Sequence, residues 1–373
     1  MMLKNLEHLS LWQRRLVFFM VLGGILMIIV AITWLLARQA LTGGARVSAS
    51  ALLPDLSVRE FAALPDDDAY PAGIAAAPDG TLYTGSYKTG VIWSISVEGV
   101  VTEIPGTREG IGAVSAIAIT SDGLLLVVDQ GDADPRTRGG SIVQVDVRTG
   151  SVTPFATIDD ETGFSAPNDL VIDARGAVYV SDPGRNEIWR FSAPDTGSVW
   201  WVPPPAESPL GDGDVPRRGL TGLAYDAAGD AILVTDPEVN EIFRVAIADG
   251  TTQLIYRHGR RPRPPGFDGI TVSADGTIYT ATLGTNGVAR VIPAGSETTA
   301  TEASSTETGA ADGALEYIAG VFRGASDVEY AAPNRLYVTN FDQASLAPLP
   351  IPLFAPQLPF ALDVIELGTS TPG

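Results

Sequence analysis

The chain has 373 residues, no cysteine, and 44 acidic against 24 basic residues, a formal charge of −20. Disulfides, thiolate metal sites and a cysteine nucleophile are therefore excluded, while the length suffices for a core that needs no staples. Five of the basic but only one of the acidic residues lie in the first 46, leaving 19 against 43, about −24, in the rest. That field opposes encounter with nucleic acid or anionic lipid, and solubility alone accounts for an acidic surface.

In chain order, the first element is apolar. Leu16 to Ala37 carries no charge and is long enough to cross ~30 Å of hydrocarbon as a helix. Trp12 and Trp34 stand near its ends, where amphipathic rings favour the interface. Lys4, Arg14 and Arg15 precede it and Arg38 and Arg46 follow, a slight bias that places the N-terminus inside. The run exceeds the ~7–15 residues of a signal-peptide core, and Ala37-Arg38-Gln39-Ala40 is a poor cleavage site. The expectation is an uncleaved signal anchor, with a cleaved signal ending near Ser48-Ala49-Ser50-Ala51 as the rival. The division that follows is 1–15 a cytoplasmic tail, 16–37 the membrane anchor, 38–55 a linker, 56–368 the folded domain and 369–373 a tail.

From Tyr70 onward one pattern is written six times. It begins at Pro71 (PAGIAAAPDGTLYTGSY), Val114, Pro167 (PNDLVIDARGAVYVSD), Leu220, Phe267 and Ala325. Each copy has a small or polar pair, an apolar run, a turn containing Gly or Asn, and a second apolar run, the signature of a strand hairpin. Two further strands follow, such as Glu187–Phe191 and Ser198–Val202. Four short strands recurring every 40–55 residues predict an all-β, six-bladed β-propeller of four-stranded antiparallel blades behind one N-terminal transmembrane helix. Ser57–Ala63 is expected to pair with Phe360–Leu367, closing the ring between the two termini. Two loops interrupt the pattern: a polar, low-complexity stretch over 296–312 and a proline-rich stretch over 345–359.

The first strand of a propeller blade lines the central channel, so the repeat openers (Ala72, Ser115, Asn168, Thr221, Asp268 and Ser326) are candidate site residues. Oxygen donors converging on a narrow channel suit Ca²⁺ or another divalent cation; ordered water is the simpler occupant. Arg257-His258-Gly259-Arg260-Arg261 is a basic island leading into Asp268. There His258 is a candidate general base and Arg260 and Arg261 are candidates to hold a substrate anion, unless the loop merely balances nearby carboxylates. No serine-hydrolase elbow, Walker loop, zincin motif or EF-hand loop occurs.

PNDLVIDARGAVYVSD resembles the signature blade of the SMP-30/gluconolactonase-like propellers, a group with wider paraoxonase, strictosidine-synthase-like and royal-jelly-protein relatives. The resemblance implies a divalent metal at the channel mouth and hydrolysis of a small-molecule lactone or ester. It implies Asn168 and Asp268 as metal ligands, Thr221 as a weaker third, and Asp268 as the group that orients or deprotonates water; Ser115 and Ser326, as channel-lining openers, are expected to contact the substrate. The family's first-blade Glu falls on Ala72, which cannot ligate. A non-catalytic propeller that binds a sugar, peptide or protein through its top face is the alternative. The expected location is the cell membrane, single-pass, with the propeller extracytoplasmic; oligomeric state is not legible.

Overall fold

The computed structural model describes residues 10–42, 47–134, 139–158, 163–207, 214–215, 219–259, 265–292, 306–308, 313–331, 333–346 and 356–368. The chain divides into two compact units. The first contains a helix, Leu11–Thr42, in which Leu11–Leu35 is long and apolar enough to cross a membrane.

The second unit is a six-bladed β-propeller. Blade one comprises strands Pro71–Ala76, Leu82–Ser86, Ile92–Ile95 and Val101–Glu103. Blade two runs from Val114–Ile119 out to Ser151–Ala156, and blade three from Leu170–Ile172 to Gly197–Trp201. Blade four begins at Leu223–Asp226 and ends at Thr252–Arg257, and blade five runs from Phe267–Val272 to Ala314–Gly320. Blade six joins Ala325–Ala331, Arg335–Asn340 and Ala361–Glu366 to Ser57–Ala63, with Ser57 opposite Glu366 and Ala63 opposite Ala361. The expected closing pair is present, so a strand from each end of the domain completes one sheet. Blade five is wider than the sequence suggests: Ser50–Ala51 and Thr306–Thr308 both pair with its outer strand, covering an edge that would otherwise be open.

The hairpins inside the blades show why the repeat needs its turn residue. Gly80, Gly123, Gly176 and Gly276 all lie between φ 82° and 88°, and the equivalent turns use Asp230 and Asn334, at φ 44° and 64°. Only Gly, Asn and Asp enter this left-handed region at small cost. The preceding Asp79 and Asp275 accept the N–H of Thr81 and Thr277 at 2.9 and 3.1 Å.

The core lies in the seams between blades. Leu126, Val128, Ile142 and Phe155 of blade two meet Leu170, Val180, Trp189 and Phe191 of blade three. Comparable clusters fill the one–two, three–four, four–five and five–six seams. Alternate side chains of each strand face opposite blades, so second strands such as Val178–Asp182 are buried throughout.

Candidate functional site

The six openers stand at one end of the ring, where each first strand begins beside the end of the second. Polar groups there spend much of their bonding capacity on the seams. Ser115 Oγ donates to the Asn168 carbonyl (2.8 Å) and Ser181 Oγ to the Thr221 carbonyl (2.7 Å). Thr235 Oγ1 donates to the Asp268 carbonyl (2.7 Å), and Ser326 Oγ to the Ala72 carbonyl (2.8 Å). In each case a hydroxyl of one blade holds the opener of the next. The Thr221 hydroxyl lies 3.1 Å from Thr235 Oγ1 and 3.4 Å from the Phe267 carbonyl. Ser115, Ser326 and Thr221 are thus engaged in the wall.

Among the described residues, four carboxylates line the channel. Asp169 and Asp327 occupy the same place, one residue past the opener, in opposite blades three and six. Asp169 accepts the N–H of Leu223 in blade four (2.6 Å) and of Leu170 (2.7 Å). Asp327 repeats this with Ile74 in blade one (2.9 Å) and Val328 (2.8 Å). Glu329 accepts from the Ala76 backbone N–H and from Thr271 Oγ1 (3.4 Å). Asp268, by contrast, has no hydrogen-bond donor to its carboxylate among the described residues.

Solvent reaches these groups along the channel, but protein packs around them on all other sides. Burial is the main cause of their raised pKa values. Asp169 is pushed to about 7 against the pull of its two N–H donors. Asp268 rises to about 8, first through burial and then through the neighbouring Asp169 charge. Glu329 rises to about 7, and Asp327 is held well above the ordinary carboxylate range by burial and then by Asp169. The two aspartates of opposite blades thus feel each other across the channel.

Of the basic island, the described Arg257 and His258 fall at the outer edge of blade four. His258 follows the outermost strand of blade four; its N–H donates to the Asn240 carbonyl (3.0 Å) and Nδ1 lies 3.1 Å from the Tyr256 hydroxyl. Three strand spacings, roughly 14 Å, separate that strand from the innermost one. Arg260 and Arg261 lie outside the described residues. Asp129, Asp182 and Asp236, at the ends of second strands, cap the loops beside them: Asp129 Oδ1 accepts from Gly112, Ala113 and Gly131. Asp182 accepts from Ser165 and Ala166, and Asp236 from Glu238 and Val239.

Sequence reasoning missed Glu329. A signal was available: three residues past the opener the other copies carry Ala75, Ala118, Val171, Ala224 and Thr271, so Glu329 is the lone charge in that register.

The family model that describes the SMP-30/gluconolactonase/LRE-like region matches residues 106–309, more than half of the chain. The chain belongs to this family. No curated protein sequence matches it. Among solved structures, a putative gluconolactonase superposes with a TM-score of 0.55 at 17% identity, covering 86% of this chain and 97% of its own. A gluconolactonase from Xanthomonas campestris gives 0.51 at 15%, covering 87% and 98%. A streptogramin B lyase gives 0.53 at 14%, covering 84% and 98%. At these identities the likeness is one of fold.

Proposed function

We propose that the chain is a membrane-anchored, extracytoplasmic hydrolase of lactones or related small esters, with its site at the channel mouth. The observation that carries the reading is Asp268: a walled-in carboxylate with no protein donor among the described residues, in the channel of a family propeller. Such a group is available to a water or a cation. In the proposed reaction Asp268 takes a proton from water as the water oxygen bonds to the lactone carbonyl carbon. The ring C–O bond then breaks, the released alkoxide takes that proton, and a hydroxy acid leaves. A pKa near neutrality suits both halves of this transfer.

Family membership implies a divalent cation. The orphaned Asp268 carboxylate fits one, and Asn168 on blade three supplies a neutral oxygen. Thr221 would have to leave its bonds in the wall, and no group of three or more His, Asp or Glu that could hold a metal occurs among the described residues. Asp268 and Asn168 would therefore hold it with water completing the shell, and when bound it would polarise the ester carbonyl.

Lactone turnover by the full chain in micelles tests the reading. Asp268→Asn is expected to lower kcat at least 100-fold while leaving the melting temperature within a few degrees; unchanged turnover would remove Asp268 from the chemistry. Ala72 favours the second reading, a binding propeller without catalysis, and binding of lactones with no turnover by the wild type would select it. For the anchor, added protease should cut the propeller on intact cells; protection would reverse the orientation.

A further inference from the structure

A second ring of residues crowns the openers. The residue that follows the second strand of each blade is Tyr87, Gln130, Pro183, Pro237, Leu283 and Phe341, in blades one to six. In four blades its backbone N–H donates to the carbonyl just before the first strand: Tyr87 to Tyr70 (3.1 Å), Gln130 to Ala113, Leu283 to Gly266 and Phe341 to Gly324 (each 2.9 Å). Blades three and four place proline there, which has no N–H to give. This register sets all six at the opener end, on the innermost pair of strands.

The ring has two halves of different chemistry. Over blades six, one and two, the Phe341 and Tyr87 rings meet edge-on at 5.2 Å. Tyr87 donates its hydroxyl to Gln130 Oε1 (2.8 Å), and Gln130 Nε2 donates to the Pro167 carbonyl (2.9 Å). Over blades three, four and five stand Pro183, Pro237 and Leu283, apolar and half-exposed. Those are the blades that carry Asn168, Thr221 and Asp268. An ester carbonyl at Asp268 therefore brings the rest of its molecule against an apolar arc, with the Tyr87–Gln130 wall opposite.

Charge narrows the ligand further. Four carboxylates lie in the channel, while described cations at this end are engaged elsewhere: Lys88 with Asp68 (2.6 Å), Arg185 with Glu187 (3.0 Å), and Arg323 with the Pro359 carbonyl. An anionic substrate finds no described counter-charge, and the carboxylate product of ring opening meets repulsion that favours its departure.

We propose that Pro183, Pro237 and Leu283 receive the aliphatic substituent of a neutral lactone whose ring carbonyl lies at Asp268. The lactone rests on the function proposed above; the apolar preference rests on the ring alone. The test is titration calorimetry on the full-length Asp268→Asn chain with δ-hexalactone, δ-octalactone and δ-decalactone, against glucono-δ-lactone. Affinity is expected to rise about fourfold for each added methylene. Leu283→Asn should flatten that series and Tyr87→Phe should not. The same slope in Leu283→Asn, or tighter binding of the polyhydroxylated lactone, would overturn the proposal. Turnover by the wild type, measured in parallel, separates the two claims: a chain-length series without turnover sinks the hydrolase and keeps the arc. Turnover indifferent to chain length does the reverse.

Discussion

Replacing Glu329 by Gln offers the sharpest test of the acidic channel. Burial holds this carboxyl at about 7 rather than its ordinary 4.5. The folded state therefore binds its proton more tightly than the unfolded chain does. The stabilisation is complete below the unfolded value and is lost as pH rises through 7, so the wild type weakens between about pH 4.5 and 7 and then levels off. At ~1.36 kcal/mol for each tenfold change in acidity, the ionised group costs the fold at most about 3 kcal/mol. Glutamine keeps an oxygen for the Ala76 N–H and turns an N–H₂ toward Thr271, whose hydroxyl already accepts from Tyr330 at 3.2 Å and can accept again. For a propeller of ~310 residues, about 3 kcal/mol corresponds to roughly 5 °C in melting temperature. Melts of wild type and Glu329→Gln, with chelator present, are expected to coincide at pH 4.5 and to separate by up to that amount at pH 9, the variant melting higher. Parallel curves across the range, or a variant that melts lower at pH 9, would refute the assignment of a buried, costly charge.

Three further outcomes follow from the seams and the mouth. Thr235→Val deprives both the Asp268 carbonyl and the Gly222 N–H, which donates to Thr235 Oγ1 at 2.8 Å, of their partner. The loss should be about 2–4 kcal/mol, read as a lower melting temperature that Thr235→Ser largely restores. Gly222→Ala would set a Cβ 2.1 Å from the Asp268 carbonyl oxygen, and spreading blades four and five apart should cost about 3 kcal/mol or more in urea titration. Ca²⁺ at ~100 times Kd should add about 2.7 kcal/mol to the wild type and little to Asp268→Asn; equal melting curves with and without Ca²⁺ would remove the cation from the site.

What the sequence made legible was local. Alternating apolar runs and Gly, Asn or Asp turns act over fewer than twenty residues, so six copies disclosed six blades, and the closing strand followed from counting. The site was legible only in outline, because its bonds join residues far apart in the chain. Thr221 reads as a free hydroxyl at a channel, yet Thr235 and the Phe267 carbonyl take it up. Ser115 and Ser326 read as substrate contacts, and each hydroxyl holds the next opener instead. His258 lies ten residues before Asp268 in sequence, yet it follows the outermost strand of blade four while Asp268 stands on the innermost strand of blade five, since a blade's last strand is its outermost.

The same long-range logic explains why two aspartates, and not six, flank the channel. One residue past the opener, a blade approaches its neighbour so closely that a Cβ on Gly73 would lie 2.8 Å from the Ser115 carbonyl oxygen. A Cβ on Gly269 would lie 2.0 Å from Asp327 Oδ1. Glycine is the ordinary solution at such a contact. Asp169 and Asp327 solve it differently, each reaching across to a backbone N–H that the next blade would otherwise leave unpaired. That bond requires an acceptor, which either ionisation state supplies, so the seam survives protonation while the channel changes charge. Asp169 therefore serves two ends at once: it fastens blade three to blade four and raises the pKa of Asp268. Any catalysis at Asp268 draws its proton affinity first from burial and then from a carboxylate that fastens two blades together.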